Sequence, residues 1–143
     1  MDVVLQGLWK FGNDWVFDSR LSYTYQKAQD FTDKSDKDTY GEQISYIPWH
    51  SGSAILNAGY KSWELNYSFI YTGERYDVSA NTPENYRLPW YTSDFSLAKK
   101  FSWRKYDFKL TLEVNNIFNQ QYEVVRSYPM PGTNFKFILN LTI

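Results

Sequence analysis

The sequence contains no cysteine and only one histidine, His50, among its 143 residues. Without cysteine the chain can form neither disulfides nor thiolate metal sites, and its redox compartment is left open. Its 15 basic and 16 acidic residues nearly cancel, which gives a formal net charge of −1. Nucleic-acid binding usually relies on an excess of Lys and Arg, so the composition argues against a nucleic-acid partner.

Long apolar runs are missing as well. No stretch approaches the roughly 18 consecutive apolar residues of a membrane helix. This does not exclude a membrane barrel, because alternate residues of each barrel strand face a polar lumen. Asp2 directly follows Met1 and no secretory signal pattern comes after it. We therefore expect either a cytoplasmic protein or a piece of a longer chain.

Aromatic residues, in contrast, are abundant. The chain has 13 Tyr, 10 Phe and 6 Trp, which together make up 20% of its residues. Such an excess suits a β protein with a large amphipathic surface. Tyr and Trp in particular favour membrane–water interfaces.

Seven segments alternate between apolar and polar residues, a pattern typical of strands with one apolar face. These segments are residues 3–11, 15–28, 51–60, 63–72, 90–103, 106–115 and 134–143. The last segment places Phe135, Phe137, Leu139, Leu141 and Ile143 on one face. In a soluble protein, an unpaired strand with an apolar face of this kind invites aggregation. In a closed membrane barrel, the same strand pairs with a neighbour and its apolar face meets lipid.

The connections between the segments alternate in length. Short turns follow the first, third and fifth segments, and long polar stretches follow the second, fourth and sixth, at about 29–50, 73–89 and 116–133. Aromatic residues gather beside the short turns and near the far strand ends, as in the two aromatic belts of a membrane barrel. About ten residues of roughly 3.3 Å each, tilted near 45°, also rise about 23 Å, close to the apolar band of such a barrel.

These patterns predict an all-β, antiparallel, up-and-down transmembrane β-barrel segment of about seven strands, with short periplasmic turns and long extracellular loops. The alternative is a soluble β-barrel or sandwich, whose apolar face points inward and whose aromatic residues bind a carbohydrate or a small hydrophobic ligand. Charged residues on most strands and aromatic residues at the ends of the apolar faces favour the membrane interpretation.

The stretch from Val114 to Tyr122, VNNIFNQQY, resembles a motif of the TonB-dependent outer-membrane receptors. In that family a V-x-N-[IL]-F-[ND]-x-x-Y stretch leaves the penultimate strand, and an aromatic-rich loop with Pro and Gly leads into the last strand. Residues 128–132, YPMPG, and the following Asn134 and Phe135 match the later parts of this pattern. The strand–loop rhythm extends the resemblance over essentially all 143 residues. Ile143 departs from it, because such barrels more often end in Phe or another aromatic residue.

The resemblance implies energised import of a scarce ligand, such as a metal chelate, cobalamin or a glycan. It implies an outer-membrane location, with membrane lipid, further barrel strands and a plug as partners, and with the TonB complex acting through the plug. The barrels of this family have 22 strands, so seven strands would leave about 15 unaccounted for. We therefore expect residues 1–143 to be the C-terminal part of such a barrel, without its plug and earlier strands, and not to transport alone.

We predict no catalytic, cofactor-binding or metal-binding residue and assign no ligand-binding residue, so we expect a protein that is not an enzyme. His50 lacks partners for a metal site and fits a loop or rim position. The acidic residues of the first long connection lack the glycine and terminal glutamate of an EF-hand and fit a solvated loop. They are Asp30, Asp33, Asp36 and Asp38.

Four acidic residues within the strands could suggest catalytic pairs, but a hydrated lumen lining explains them without catalysis. They are Glu64, Asp94, Asp107 and Glu113. Within the motif, Asn115 and Asn116 are predicted to bond to the local backbone where a strand leaves its ladder. Tyr122 is predicted to pack the following loop against the rim.

Overall fold

The computed structural model describes residues 1–142, and every long element within them is a β-strand. In chain order the strands are β1 (Asp2–Phe11), β2 (Trp15–Tyr25), β3 (His50–Tyr60), β4 (Trp63–Thr72), β5 (Arg75–Tyr76), β6 (Tyr86–Arg87), β7 (Trp90–Trp103), β8 (Tyr106–Asn115), β9 (Glu123–Val125), β10 (Tyr128–Pro129) and β11 (Asn134–Thr142). One 3-10 turn, Pro83–Asn85, is the only helical element in this part of the chain. The prediction of an all-β chain is confirmed. Ile143, predicted to lie on the apolar face of the last strand, falls outside the described residues.

Within residues 1–142 we find no helix long and apolar enough to span a membrane.

Seven of these strands form one antiparallel sheet in the order β1-β2-β3-β4-β7-β8-β11, so neighbours along the chain are neighbours in space. The short connections close hairpins at residues 12–14, 61–62 and 104–105, as the sequence predicts. Gly12, Lys61 and Arg104 take positive φ angles of 60°, 53° and 57° in these reversals. The two edges of the sheet are β1 and β11. The up-and-down order of the strands is therefore confirmed.

The strand register aligns apolar side chains in rows that cross the whole sheet. One row contains Trp9, Phe17, Ala58, Leu65, Leu97, Leu112 and Phe137. The adjacent row contains Leu8, Asp18, Asn57, Asn66, Ser96, Glu113 and Lys136. Because successive side chains of a strand point to opposite sides, the sheet has an apolar face and a largely polar face. We call them the apolar face and the polar face.

Aromatic residues lie at both ends of the apolar face. The row beside the short turns contains Phe11, Trp15, Tyr60, Trp63 and Lys99. The row near the long connections contains Tyr23, Gly52, Tyr71 and Tyr91. The apolar face thus carries two aromatic bands separated by the length of the strands.

The sheet is a single layer with almost no apolar core. Ala98, which is 2% exposed, is the only buried apolar residue among residues 1–142. Leu112 and Phe137, in contrast, are 49% and 66% exposed on the apolar face. A soluble sandwich buries such side chains between two sheets. The apolar face of this sheet therefore requires an apolar environment supplied from outside the described residues.

Two features differ from the predictions. β2 ends at Tyr25 instead of Ala28, because its partner strand β3 begins at His50, directly opposite Tyr25. The long connections also contain short ladders, in which β5 pairs with β6 and β9 with β10. Strands of two or three residues are too short to show a period of two, so the sequence pattern does not reveal them.

Candidate functional site

The centre of the polar face is lined by hydrogen-bonded side chains. Asn57 Nδ2 donates to Asp18 Oδ1 at 2.9 Å, between β3 and β2. Asn66 Nδ2 donates to Ser96 Oγ at 3.2 Å, between β4 and β7. Both contacts lie in the same row of the register. Neighbouring strands therefore share a layer of polar side chains on the side of the sheet opposite the apolar face. This surface suits contact with water or with a polar partner.

Glu64 lies between two lysines from different strands. Its Oε1 is 2.5 Å from Lys100 Nζ, and its Oε2 is 2.6 Å from Lys109 Nζ. Lys100 and Lys109 are direct cross-strand partners in β7 and β8. The carboxylate therefore reduces the repulsion between two like charges that face each other. Ala98 lies between Glu64 and Thr111 in the register, and its small side chain leaves room for Lys109 to pass.

The other three carboxylates predicted to line the lumen also have partners. Asn116 N donates to Asp94 Oδ1 at 2.8 Å, Ser102 Oγ donates to Asp107 Oδ1 at 2.5 Å, and Lys136 Nζ lies 3.8 Å from Glu113 Oε2. These positions agree with the predicted lining of a polar face. The contacts thus give each of the four carboxylates predicted to line the lumen a structural or solvating role.

His50 occupies the first position of β3, at the rim of the sheet. Its Nδ1 lies 2.7 Å from the Tyr23 hydroxyl, and its ring centroid lies 5.1 Å from that of Tyr25. No group of three His, Cys, Asp or Glu residues within the described chain could hold a metal ion. The predicted rim position of His50 is confirmed.

The aspartates of the first long connection stabilise turns. Thr32 N donates to Asp30 Oδ1 at 2.8 Å, and Ser35 N donates to Asp33 Oδ1 at 2.8 Å. The Thr32 hydroxyl bonds the same oxygen, and this bond together with the backbone one lowers the pKa of Asp30 below its ordinary value. The Ser35 hydroxyl and amide lower the pKa of Asp33 in the same way. These are local Asx turns in an exposed loop.

Asn116 organises the connection that follows β8. It is 4% exposed and has a φ of 51°. Its Nδ2 donates to Gln120 O at 2.9 Å and to Pro131 O at 3.1 Å, and its Oδ1 accepts Gln120 N at 2.9 Å. Thr133 Oγ1 donates to its backbone oxygen at 2.7 Å. The prediction of local backbone bonding is confirmed for Asn116, whose bonds hold both ends of the connection together.

Asn115 and Tyr122 complete this motif. Asn115 Nδ2 bonds Asn134 Oδ1 across the ladder at 3.0 Å, so the predicted bond from Asn115 to local backbone is wrong. Tyr122 stacks on Trp90, with ring centroids 4.5 Å apart and an interplanar angle of 29°. Burial and the nearby carboxylate of Asp94 raise the pKa of Tyr122. The predicted packing of Tyr122 at the rim is confirmed.

A buried arginine joins the second and third long connections. Arg75 is 3% exposed, and one terminal nitrogen donates to Glu123 O at 3.0 Å and to Val124 O at 3.2 Å. Burial lowers the pKa of Arg75, but an arginine pKa is so high that the guanidinium stays charged at neutral pH. The bonds to β9 thus fix the third connection against β5.

Asp77 binds two further arginines in this region. Its Oδ2 accepts a hydrogen bond from Arg87 Nε at 2.6 Å and lies 3.7 Å from Arg126 Nε. We call Arg75, Asp77, Arg87 and Arg126 the loop cluster. Three arginines around one carboxylate leave the loop cluster with a net positive charge.

A reciprocal backbone–side chain pair joins the first long connection to the second. Gln43 N donates to Asn81 Oδ1 at 2.7 Å, and Asn81 Nδ2 donates to Gln43 O at 3.1 Å. All three long connections are therefore linked at one end of the sheet. Sequence reasoning missed these links because the Gln43–Asn81 and Arg75–Glu123 partners lie 38 and 48 positions apart, with no local pattern between them.

Comparison with known proteins identifies the family. The family model described as TonB dependent receptor-like, beta-barrel matches residues 2–117, which include β1 to β8. A search of the curated proteins gives no match. The family match ends inside the Val114–Tyr122 motif and confirms the resemblance drawn from it. Barrels of this family are outer-membrane receptors and transporters, which are not enzymes. This chain belongs to the TonB-dependent receptor-like β-barrel family.

Proposed function

We propose that residues 1–143 form part of the wall of an outer-membrane receptor that imports a scarce ligand, of which a metal chelate, cobalamin and a glycan are the candidate classes. The observation that carries the proposal is the pair of adjacent rows across the sheet. The apolar row extends from Trp9 to Phe137, and the row behind it contains Asp18, Glu113 and Lys136. A sheet with these two faces can separate lipid from an aqueous lumen.

The two aromatic bands support an orientation across the membrane. Tyr and Trp side chains favour the two membrane–water interfaces, and the bands lie at opposite ends of the apolar face. Short turns face the periplasm in bacterial barrels, and longer loops face the exterior. In this orientation the loop cluster lies on the extracellular side, where it shapes the entrance of the barrel.

The open edges of the sheet support further strands on both sides. β1 pairs only with β2, and β11 only with β8, within residues 1–142, although the apolar row continues to Trp9 and Phe137 at these edges. Unpaired backbone groups are costly in lipid, which favours closure of the sheet. The Val114–Tyr122 motif supports a position in the C-terminal part of the barrel. A plug against the polar face and a TonB complex acting on that plug complete the proposed receptor.

Two neighbouring residues of β7 provide a matched test. Phe95 lies on the apolar face between Tyr67 and Val114, and Ser96 lies on the polar face opposite Glu113. The chain, given an outer-membrane export leader, is expressed in a Gram-negative host, and the urea-washed outer membranes are assayed for it. We expect Ser96→Arg to insert like the parent. Phe95→Arg should be largely lost from the membrane, because Arg on the lipid face costs about 2–4 kcal/mol at the midplane.

Equal insertion of the two arginine variants would contradict the assignment of the faces. Recovery of the parent chain in the aqueous fraction as a cooperatively folded monomer would favour the alternative, a soluble β module that binds a carbohydrate or a hydrophobic ligand.

A further inference from the structure

Cations lie over aromatic rings at the short-turn end of the sheet. Four of the five cation–π pairs among the described residues are found there. They are Lys61 over Tyr60 at 5.1 Å, Lys99 over Trp63 at 4.3 Å, Arg104 over Trp103 at 5.2 Å and Lys105 over Tyr106 at 5.3 Å. The three short turns contain Lys61, Arg104 and Lys105 but only one acidic residue, Asp14. This end of the molecule therefore has an excess of positive charge next to its aromatic band.

Lys99 is a cation within the apolar face. It stands directly between Trp63 and Leu110 in the register, and its Nζ donates to Ser62 Oγ at 2.7 Å. Its neighbour Lys100 points to the polar face and pairs with Glu64 there, whereas no ion pair within residues 1–142 involves Lys99. An ammonium group has three donors, and Ser62 accepts one. Lys99 can therefore donate to an acceptor outside the sheet.

An apolar groove lies one row farther from the turns. It has a volume of about 560 Å³ and is bounded by Trp9, Phe17, Leu56, Ala58 and Leu65. Ala58 pairs with Phe17 on one side and with Leu65 on the other, so a small side chain lies between two large ones. Lys99 lies on β7, two strands from Ala58 and two residues nearer the turns, which corresponds to about 10 Å across the strands and about 7 Å along them.

We propose that the groove and Lys99 together bind one glycerophospholipid, with an acyl chain along Ala58 and the phosphate against Lys99 Nζ beside Trp63. The inference rests on the proposed function, because it requires the apolar face to meet lipid. Charge complementarity identifies the occupant: a hydrocarbon groove next to a cation within the interfacial band matches a lipid tail joined to a phosphate. Because the surrounding turns are also basic, the site should prefer an anionic headgroup such as phosphatidylglycerol.

The test measures lipid selectivity of the membrane-inserted chain. Spin-labelled phosphatidylglycerol and spin-labelled phosphatidylcholine are each added to vesicles containing the chain, and the motionally restricted fraction of each lipid is determined. We expect phosphatidylglycerol to be favoured by about fivefold at low salt, the size expected for one basic residue at an anionic surface, and salt to reduce this preference. Lys99→Gln should remove most of this preference and leave only the smaller part that the basic turns supply, and Lys99→Arg should retain it.

Lys27 supplies a matched control. Its Nζ lies 5.2 Å from the Trp49 ring at the opposite end of the sheet, so Lys27→Gln removes a similar cation–π pair. We expect this variant to keep the selectivity. An equal loss in Lys27→Gln and Lys99→Gln, or no selectivity in the unaltered chain, overturns the proposed site. Absence of any restricted fraction for either lipid would instead overturn the proposed lipid contact of the whole apolar face.

Discussion

The side chain of Lys109 on β8 extends across β7 to Glu64 on β4, with 2.6 Å between Nζ and Oε2. Lys100 on β7 contacts the other carboxylate oxygen of Glu64 at 2.5 Å, so one acidic residue links three strands. A register slip of one residue would carry Glu64 to the apolar face and break both contacts. These ion pairs therefore help to specify how the strands align as well as how stably they pair.

Replacement of Glu64 by Gln should destabilise the sheet through repulsion between Lys100 and Lys109. The three side chains are 34%, 56% and 39% exposed, respectively, so solvent screens their interactions. We expect Glu64→Gln to lower the free energy of unfolding by about 1 kcal/mol at low salt and by less at high salt. Urea unfolding of the vesicle-inserted chain at two salt concentrations measures this effect.

The double variant Glu64→Gln/Lys109→Gln serves as the control. Because it also removes one of the two facing lysines, it should recover part of the lost stability. Identical unfolding midpoints for the parent and both variants would show that the polar-face ion pairs make no measurable contribution.

Asn116 should be among the least replaceable residues of the motif. Asn116→Ala removes side-chain bonds to Gln120 and Pro131 and also places an alanine at a positive φ. We expect a loss of about 3 kcal/mol, of which about 1 kcal/mol reflects the backbone conformation. The measurements are the urea midpoint and the rate of protease cleavage between residues 116 and 133.

Glycine variants separate these two causes. Asn116→Gly restores the backbone freedom and should lose about 1 kcal/mol less than Asn116→Ala. Asn119 also has a positive φ, of 49°, but its side chain makes one bond, to Thr133 N. Asn119→Gly should therefore have a much smaller effect. Equal losses for the Asn116 and Asn119 glycine variants would contradict the assigned role of Asn116.

Arg75 should control the mobility of the third long connection. Arg75→Gln cannot reproduce the two charged hydrogen bonds to Glu123 and Val124, so β9 should exchange its amide hydrogens faster. We expect roughly tenfold faster hydrogen–deuterium exchange at residues 123–125, equivalent to about 1.4 kcal/mol of local stability. Arg20→Gln, an exposed substitution on β2, should leave exchange there unchanged. If amide exchange at residues 123–125 were unchanged in Arg75→Gln, the bonds from Arg75 would not be what restrains β9.

The turns around Asp30 and Asp33 predict a specific acid response. Hydrogen bonds lower both pKa values below 3.8, so the turns contribute stability above that pH and lose it as the pH falls through the lowered values. Thr32→Val should raise the pKa of Asp30 alone, and Ser35→Ala should raise that of Asp33 alone. Carboxyl NMR titration measures both. A change at both aspartates in either variant would indicate a coupled cluster instead of two local turns.

Much of the fold follows from local sequence properties. A period of two extends through each long strand, and the short turns between them set hairpin pairings, so the strand order follows from the chain. The end of β2 does not, because it is set by the partner strand, which begins only at His50, opposite Tyr25. Strand ends depend on the partner as well as on the strand itself.

The polar contacts are predictable only in part. The sequence predicts that Glu64 lies on a polar face, because it alternates with Trp63 and Leu65. Its pairing with Lys109, in contrast, depends on the register of three strands and on the small side chain of Ala98. The bond from Arg75 to Glu123 joins irregular segments 48 positions apart. No periodic signal encodes such a contact.

The most direct test compares Ile55 and Leu56, which are adjacent on β3, similar in chemistry and 41% and 42% exposed. Ile55 pairs with Arg20 and lies on the polar face, whereas Leu56 pairs with Tyr67 and lies on the apolar face. Because the chain has no cysteine, a nitroxide label can be attached to Ile55→Cys or Leu56→Cys in the membrane-inserted protein. We predict that the label at position 56 collides mainly with oxygen dissolved in lipid, and the label at position 55 mainly with a water-soluble nickel chelate. Equal collision ratios at the two positions, or the reverse order, would contradict the membrane-wall account.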